Sequence, residues 1–171
     1  MTNVSVGGKF LARSDIAMHI SKSIERARMT TPGLRLVERI MGVLSGLTPS
    51  KEYPYHRARL NLGFKRVSER LPHVFPKLVD FGKFGSLMDS DAIRHAISSL
   101  DTSEFIDVML MHGRAYIRIK PLLVRVVASD DFRQKFELAD IRSEDLAEAA
   151  KIVEQALEDV EIPTEELIVR R

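Results

Sequence analysis

Residues 143–163, SEDLAEAAKIVEQALEDVEIP, carry the clearest helical pattern in this chain. Ser143 is a favourable N-cap residue, and the acidic residues that follow it suit the first turn, because a helix N-terminus carries partial positive charge. Apolar residues then recur at helical spacing until Pro163 ends the pattern. These apolar residues are Leu146, Ala150, Val153, Leu157 and Val160. The segment predicts an amphipathic helix that buries one face in a core.

Similar signals recur upstream of this helix. Thr31 followed by Pro32 indicates a helix start, because proline at the first helical position gives up no needed donor. Apolar residues are spaced helically from Leu60 to Leu71, and Pro72 ends that pattern. Together these signals predict helices over residues 14–29, 32–47, 60–71, 90–100, 103–112 and 129–138.

Two stretches depart from the helical pattern. Residues 48–54 contain two prolines and a Lys-Glu pair, so they are predicted to form a loop. Residues 114–128, RAYIRIKPLLVRVVA, are rich in β-branched side chains that alternate as in strands. Pro121 lies in the middle of this run, and no turn residues are present to make a hairpin. Two short strands and a buried helix kinked at Pro121 both fit the stretch.

The chain has 171 residues, which is the length of one domain. The expected fold is mainly α, with about six to eight helices in a single compact domain. A small two-stranded element at 114–128 is the open alternative to an all-helical chain. We expect a flexible N-terminal arm at residues 1–13, the helical domain at 14–162 and a C-terminal tail at 163–171.

Charge is divided unevenly along the chain, although the net charge is only +2. Residues 1–85 contain 15 Lys and Arg against 6 Asp and Glu, whereas residues 86–171 contain 11 against 18. The predicted domain therefore has a basic part, residues 14–85, and an acidic part, residues 86–162. Such segregation is informative about partners and association rather than about fold. It indicates that the first part can face a polyanion and the second can face solvent or a basic neighbour.

The predicted helix 60–71 and the residue before it carry the sharpest functional signal. At 3.6 residues per turn, Arg59, Arg66 and Arg70 fall together at roughly 240° to 280° from Leu60, on one exposed side. We call these three residues the arginine ridge; guanidinium forks match the geometry of phosphate oxygens. The predicted nucleic-acid-binding residues are Lys51, Arg57, Arg59, Lys65, Arg66 and Arg70. The competing interpretation is a solvated helix face that is neutralised by acidic residues of the same chain.

Signatures of common enzyme classes are missing from the sequence. Gly7-Gly8-Lys9 lacks the spaced glycines of a phosphate-binding loop, and the five histidines show neither HxxxH nor HExxH spacing. The chain contains no cysteine, which excludes thiolate nucleophiles and cysteine-containing metal sites. We therefore expect a protein that is not an enzyme, with no catalytic, cofactor-binding or metal-binding residues. The weaker alternative is an enzyme whose site is assembled from scattered residues such as His95 and His112.

These patterns predict a non-enzymatic binding or assembly protein, as a nucleoprotein, coat or shell subunit would be. Its basic half would contact nucleic acid or another polyanion, and its acidic half would support subunit contacts. Self-association is expected, since opposite patches on one subunit can bind head to tail. An adaptor that binds an acidic partner protein is the alternative, and contact with a membrane surface ranks below nucleic acid. The lack of cysteine and of an apolar N-terminal signal region predicts a cytoplasmic location, or an intracellular one within a nucleoprotein assembly.

Overall fold

Six helices and a small antiparallel sheet make up the described part of the chain, which comprises residues 33–77, 81 and 89–159 of a computed structural model. The helices are α1 (Leu36–Ser45), α2 (Arg57–Arg70), α3 (Asp91–Thr102), α4 (Pro121–Val127), α5 (Asp130–Leu138) and α6 (Ser143–Glu158). The strands are β1 (Glu52–Pro54), β2 (Ile106–Met111) and β3 (Arg114–Ile119). Helices account for 58% of the described residues, in agreement with a mainly α fold, but the sheet has three strands rather than two. None of these helices, within the described ranges, has the length and apolar composition needed to cross a membrane.

Some of the predicted segments lie outside the described residues. They are the N-terminal arm 1–13, the helix 14–29 and the tail 163–171. The elements named above all belong to a unit that begins at Leu34.

The N-terminus of α6 differs by one residue from the prediction. Arg142 is the N-cap, and Ser143 is already helical. The backbone N–H of Arg142 donates to the carboxylate of Asp145 at 2.9 Å. The side chain of the third helical residue therefore caps the N-terminus of the helix. An acidic residue three positions into the helix therefore supplies the capping interaction that the sequence pattern had assigned to serine.

The predicted helix 103–112 is wrong, because most of this segment is strand β2. His112 and Gly113 both have positive φ, 49° and 73°, as a two-residue hairpin turn between β2 and β3 requires. The ladder pairs Met111 with Arg114 and Ile106 with Ile119. The apolar residues of the segment recur at helical spacing, but the turn and the pairing with β3 place them in a strand.

Residues 114–128 combine the two structures that the sequence left open. The first half is strand β3, and the second half is helix α4, which begins at Pro121. Proline is well placed there, since the first helical residue needs no hydrogen-bond donor. The N–H of Lys120 donates to the carbonyl of Phe105 at 3.1 Å, so the sheet continues up to the residue before the helix.

The sheet lies against the helical core through one face. Its strand order is β1-β3-β2, and β1 falls within the residues predicted as a loop. Tyr53 of β1 pairs with Ile117 of β3, and both side chains are fully buried, as are Ile106 and Ile119. On the opposite face, Arg118 bridges to Asp107 at 2.8 Å. One face of the sheet is therefore apolar and packed, and the other is charged and solvated.

The most extensive helix contact in the core joins α2 to α6. A Cβ atom placed on Gly63 of α2 would lie 3.1 Å from the Cα of Val153 and 3.3 Å from the Cβ of Ala156. Val153 and Ala156 are fully buried in α6. Phe64, the next residue of α2, packs its ring 4.8 Å from the ring of Phe75. The lack of a side chain at Gly63 therefore allows the basic helix and the acidic helix to approach each other closely.

Candidate functional site

The arginine ridge lies on α2, as the helical spacing predicted. Arg59 and Arg66 are half-buried and Arg70 is exposed, whereas most other residues of the helix from Ala58 to Ser68 are buried. Within the described residues, no ion pair engages Arg59 or Arg70. The ridge thus leaves at least two guanidinium groups that can contact an anion in solution.

Lys51, a second predicted contact for nucleic acid, is surrounded by carboxylates of α6. Its Nζ lies 3.3 Å from Oε1 of Glu154 and 2.5 Å from Oε1 of Glu158, and it stacks over the ring of Tyr53. Hydrogen bonding to Glu158 raises the pKa of Lys51 above its ordinary value. The Tyr53 hydroxyl also donates to Glu154, at 3.0 Å. The acidic helix therefore neutralises this lysine inside one chain.

Arg57 and Lys65 also have acidic neighbours. A nitrogen of the Arg57 guanidinium lies 3.7 Å from Asp89, a mostly buried carboxylate that precedes α3. Lys65 lies 3.6 Å from Glu69, one turn further along α2. Of the six residues predicted to bind nucleic acid, Lys51, Arg57 and Lys65 are thus engaged in ion pairs, which reduces the positive field that they offer to a phosphate.

At Glu38, an acidic residue of the basic part pairs with a lysine of the acidic part. This residue of α1 is buried, and its carboxylate accepts hydrogen bonds from Lys135 of α5 at 2.7 Å and from the Arg35 backbone at 2.8 Å. Burial alone would raise the pKa of Glu38, but the hydrogen bonds from Lys135 and Arg35 outweigh it and lower the pKa from 4.5 to about 2. The charge segregation of the sequence is therefore partly resolved by contacts within the chain.

An apolar cleft, which no sequence motif predicted, opens between α1, α4, α5 and the first turns of α6. Its volume is about 650 Å³. Its apolar floor is formed by Val124, Val127, Phe136, Ile141 and Leu146. Gly42 of α1 and Gly46, the residue that caps the end of α1, also line it. We refer to this feature as the apolar cleft; its size is typical of sites that bind ligands or peptide side chains.

The two glycines explain how the walls of the cleft are built. A Cβ atom on Gly42 would lie 2.5 Å from Cζ of Phe136, so the bare backbone of α1 makes room for the ring. A Cβ on Gly46 would lie 2.6 Å from the Cβ of Ala150 in α6. Glycines four residues apart on a helix are the one sequence signal that could have indicated this close packing, but they do not show what packs there.

The two histidines considered for an assembled catalytic site lie on different elements. His95 is exposed on α3, and His112 is exposed in the turn between β2 and β3. Neither residue lines the apolar cleft. In the part of the chain that the structure describes, no group of three or more His, Asp or Glu side chains is placed to hold a metal ion.

The chain matches no protein-family model, no curated protein and no solved structure. A functional assignment therefore depends on the geometry and chemistry of the residues described above.

Proposed function

We propose that this protein is a non-enzymatic binding protein that contacts nucleic acid through the arginine ridge of α2. The observation that carries the proposal is that Arg59 and Arg70 share one side of a well-packed helix and have no carboxylate partner among the described residues. A guanidinium group can bind a phosphate through two parallel hydrogen bonds. Contacts of this kind position the phosphate backbone without reading base sequence.

The packing of α2 supports this role for the ridge. Gly63 and the buried apolar residues of the helix fix it against α6, so the guanidinium groups are held on a rigid element. A ridge on a fixed helix loses less conformational entropy on binding than the same residues would lose on a loop. We assign the ion-paired Lys51, Arg57 and Lys65 a supporting role in the local field rather than direct contacts.

The proposal is tested by two matched double variants of the same helix. Arg59→Ala with Arg70→Ala removes the two ridge cations, whereas Arg57→Ala with Lys65→Ala removes two cations that already have acidic partners. Binding of a labelled oligonucleotide is measured by fluorescence anisotropy at several salt concentrations. The ridge variant should bind more weakly and lower the slope of log K against log salt by about two, because each lost phosphate contact releases about one counterion fewer.

The control variant decides between direct contact and general charge. Equal losses in the two variants would show that only net charge matters and would contradict the proposal. No binding by the unmodified protein at low salt would also contradict it. The second candidate function is an adaptor that binds an acidic protein through the ridge. It would be supported if heparin binds and an acidic protein is retained at moderate salt, while oligonucleotides are not retained.

The proposal includes self-association in an assembly with nucleic acid. It is supported by the segregation of charge between the two halves, because opposite patches on one subunit can bind head to tail. We place this role in the cytoplasm because a chain without cysteine suits a reducing compartment. Light scattering with and without nucleic acid tests the assembly. A monomer under both conditions would contradict self-association and leave the ridge as a simple binding surface.

A further inference from the structure

The apolar cleft combines an apolar floor with a charged rim. Val124, Val127 and Leu146 are half-buried on the floor and accessible from the cleft, and Phe136 and Ile141 are buried behind them. Five charged side chains stand around the opening. They are Arg133, Glu137, Asp140, Arg142 and Glu144.

The rim charges are not equally available to a partner. Arg133 lies 3.7 Å from Asp130, and Arg142 lies 3.5 Å from Asp145, so both cations have a carboxylate neighbour. By contrast, Glu137, Asp140 and Glu144 are exposed, and the described residues provide no ion pair for any of them. We call these three residues the rim carboxylates. The charge that remains for a partner at this cleft is negative.

Aspartate is energetically unfavourable at position 140. It follows the C-terminus of α5 with φ 56°, in the left-handed region where glycine is preferred. Its negative charge also lies near the negative end of the helix dipole. Glycine would satisfy the backbone better, so the carboxylate at the rim is not explained by the stability of the helix end.

We propose that the apolar cleft binds an amphipathic helix of a partner protein, one whose apolar stripe is flanked by Lys or Arg. The apolar stripe would cover the half-buried side chains of the floor, and the flanking cations would pair with the rim carboxylates. Among the described residues, the lining comes from four helices and the connections beside them, and no strand contributes to it. An extended peptide would therefore find no ladder of backbone hydrogen bonds there, whereas a helix satisfies its own backbone.

Two designed peptides of about 18 residues, long enough to hold a helix, test the charge requirement. Both carry the same leucine stripe and a fluorescein label; one has Lys and the other has Glu at the flanking positions. Anisotropy titrations use the full chain. The Lys peptide should bind saturably and at least about tenfold more tightly than the Glu peptide. A scrambled Lys peptide, with the same charge and no stripe, should bind weakly.

Variants of the protein locate the binding to the cleft. Neutralising the rim carboxylates (Glu137→Gln, Asp140→Asn, Glu144→Gln) should weaken the Lys peptide at least about tenfold, with no loss of oligonucleotide binding at the arginine ridge. A control variant neutralises three exposed carboxylates that do not line the cleft, and it should bind the peptide normally. Its substitutions are Glu104→Gln, Asp131→Asn and Glu148→Gln. Ala147→Arg, which places a long cation into the cleft from an exposed position, should abolish peptide binding without lowering Tm.

Five results would overturn the proposal. Equal binding of the Lys and Glu peptides, or equal losses in the rim and control variants, would remove the charge argument. Equal binding of the scrambled Lys peptide would show that the partner needs no amphipathic helix. Binding of a small apolar dye, blocked by Ala147→Arg, together with no binding of either peptide would assign the cleft to a small molecule. A dimer of the unmodified chain that Ala147→Arg converts to a monomer would make a second copy the occupant.

Discussion

Two helix contacts in this protein use glycine in different ways. At Gly63, α2 approaches the backbone of α6, with the Cα of Val153 only 3.1 Å from where a Cβ would lie. At Gly42, α1 makes room for the ring of Phe136, and the apolar cleft opens beside that ring. The first contact closes completely and leaves only the outer side of α2 for function. The second leaves an accessible apolar surface, because Val124, Val127 and Leu146 beside the ring are only half-buried.

Gly63→Leu should have the largest effect on stability, because it disrupts the closed contact between α2 and α6. The neighbouring atom is a backbone Cα, which can move only if the whole of α6 moves. We expect the free energy of unfolding to fall by at least about 3 kcal/mol, measured by urea denaturation. Gly63→Ala serves as the control, because the better helix propensity of alanine, about 1 kcal/mol, offsets part of the crowding. A loss below about 1 kcal/mol for leucine would show that α2 and α6 are not tightly packed at Gly63.

Glu38→Gln tests the contact that fixes α5 to α1 beside the cleft. Since the pKa of Glu38 falls from 4.5 to about 2, its charge contributes stability above pH 4.5 and loses that contribution as the pH falls towards 2. The variant should be less stable by about 2 kcal/mol at pH 7, because Gln keeps an acceptor but not the charge.

The pH profile of the same variant gives the sharper result. The difference in the free energy of unfolding between the two proteins should shrink steadily between pH 5 and the pKa of about 2. Chemical denaturation at a series of pH values measures it. A difference that stays constant over this range would mean that the Glu38 carboxylate is not stabilised by Lys135 and Arg35.

Lys51→Gln should have the smallest effect of the three. Its two carboxylate partners on α6 are partly exposed, and pairs of this kind contribute little in water. We expect Tm to fall by less than about 3 °C at low salt and by less still in 1 M salt. A larger loss, insensitive to salt, would indicate that this charge cluster is as important as the packing at Gly63.

The helices were the part of the fold that local patterns could predict. The segments around α2, α3, α5 and α6 were identified from apolar spacing and from the prolines that delimit it. The error at 103–112 has a physical cause: the spacing of Phe105, Val108 and Met109 fits a helix, and the hairpin turn at His112-Gly113 was not recognised. β1 was missed because a three-residue strand exists only through its partner β3.

The two candidate sites differ in the same way. Spacing on one helix was sufficient to predict the arginine ridge, since residues on one α-helix keep fixed angular positions. The apolar cleft could not be predicted, because its lining comes from four helices separated along the chain. The pairing of Lys51 with α6 could not be predicted either, because its partners lie far away in the sequence. The competing interpretation of neutralised charge nevertheless included such contacts.

By itself, the sequence determined the helical nature of the chain, the segregation of its charges and the ridge on α2, because each depends on neighbours within a few residues. Only the tertiary structure decided which charges are neutralised, that β2 and β3 form a hairpin on the core and that an apolar cleft opens beside Phe136. These features depend on distances between segments far apart in sequence. Such distances follow from the packing of all the elements together.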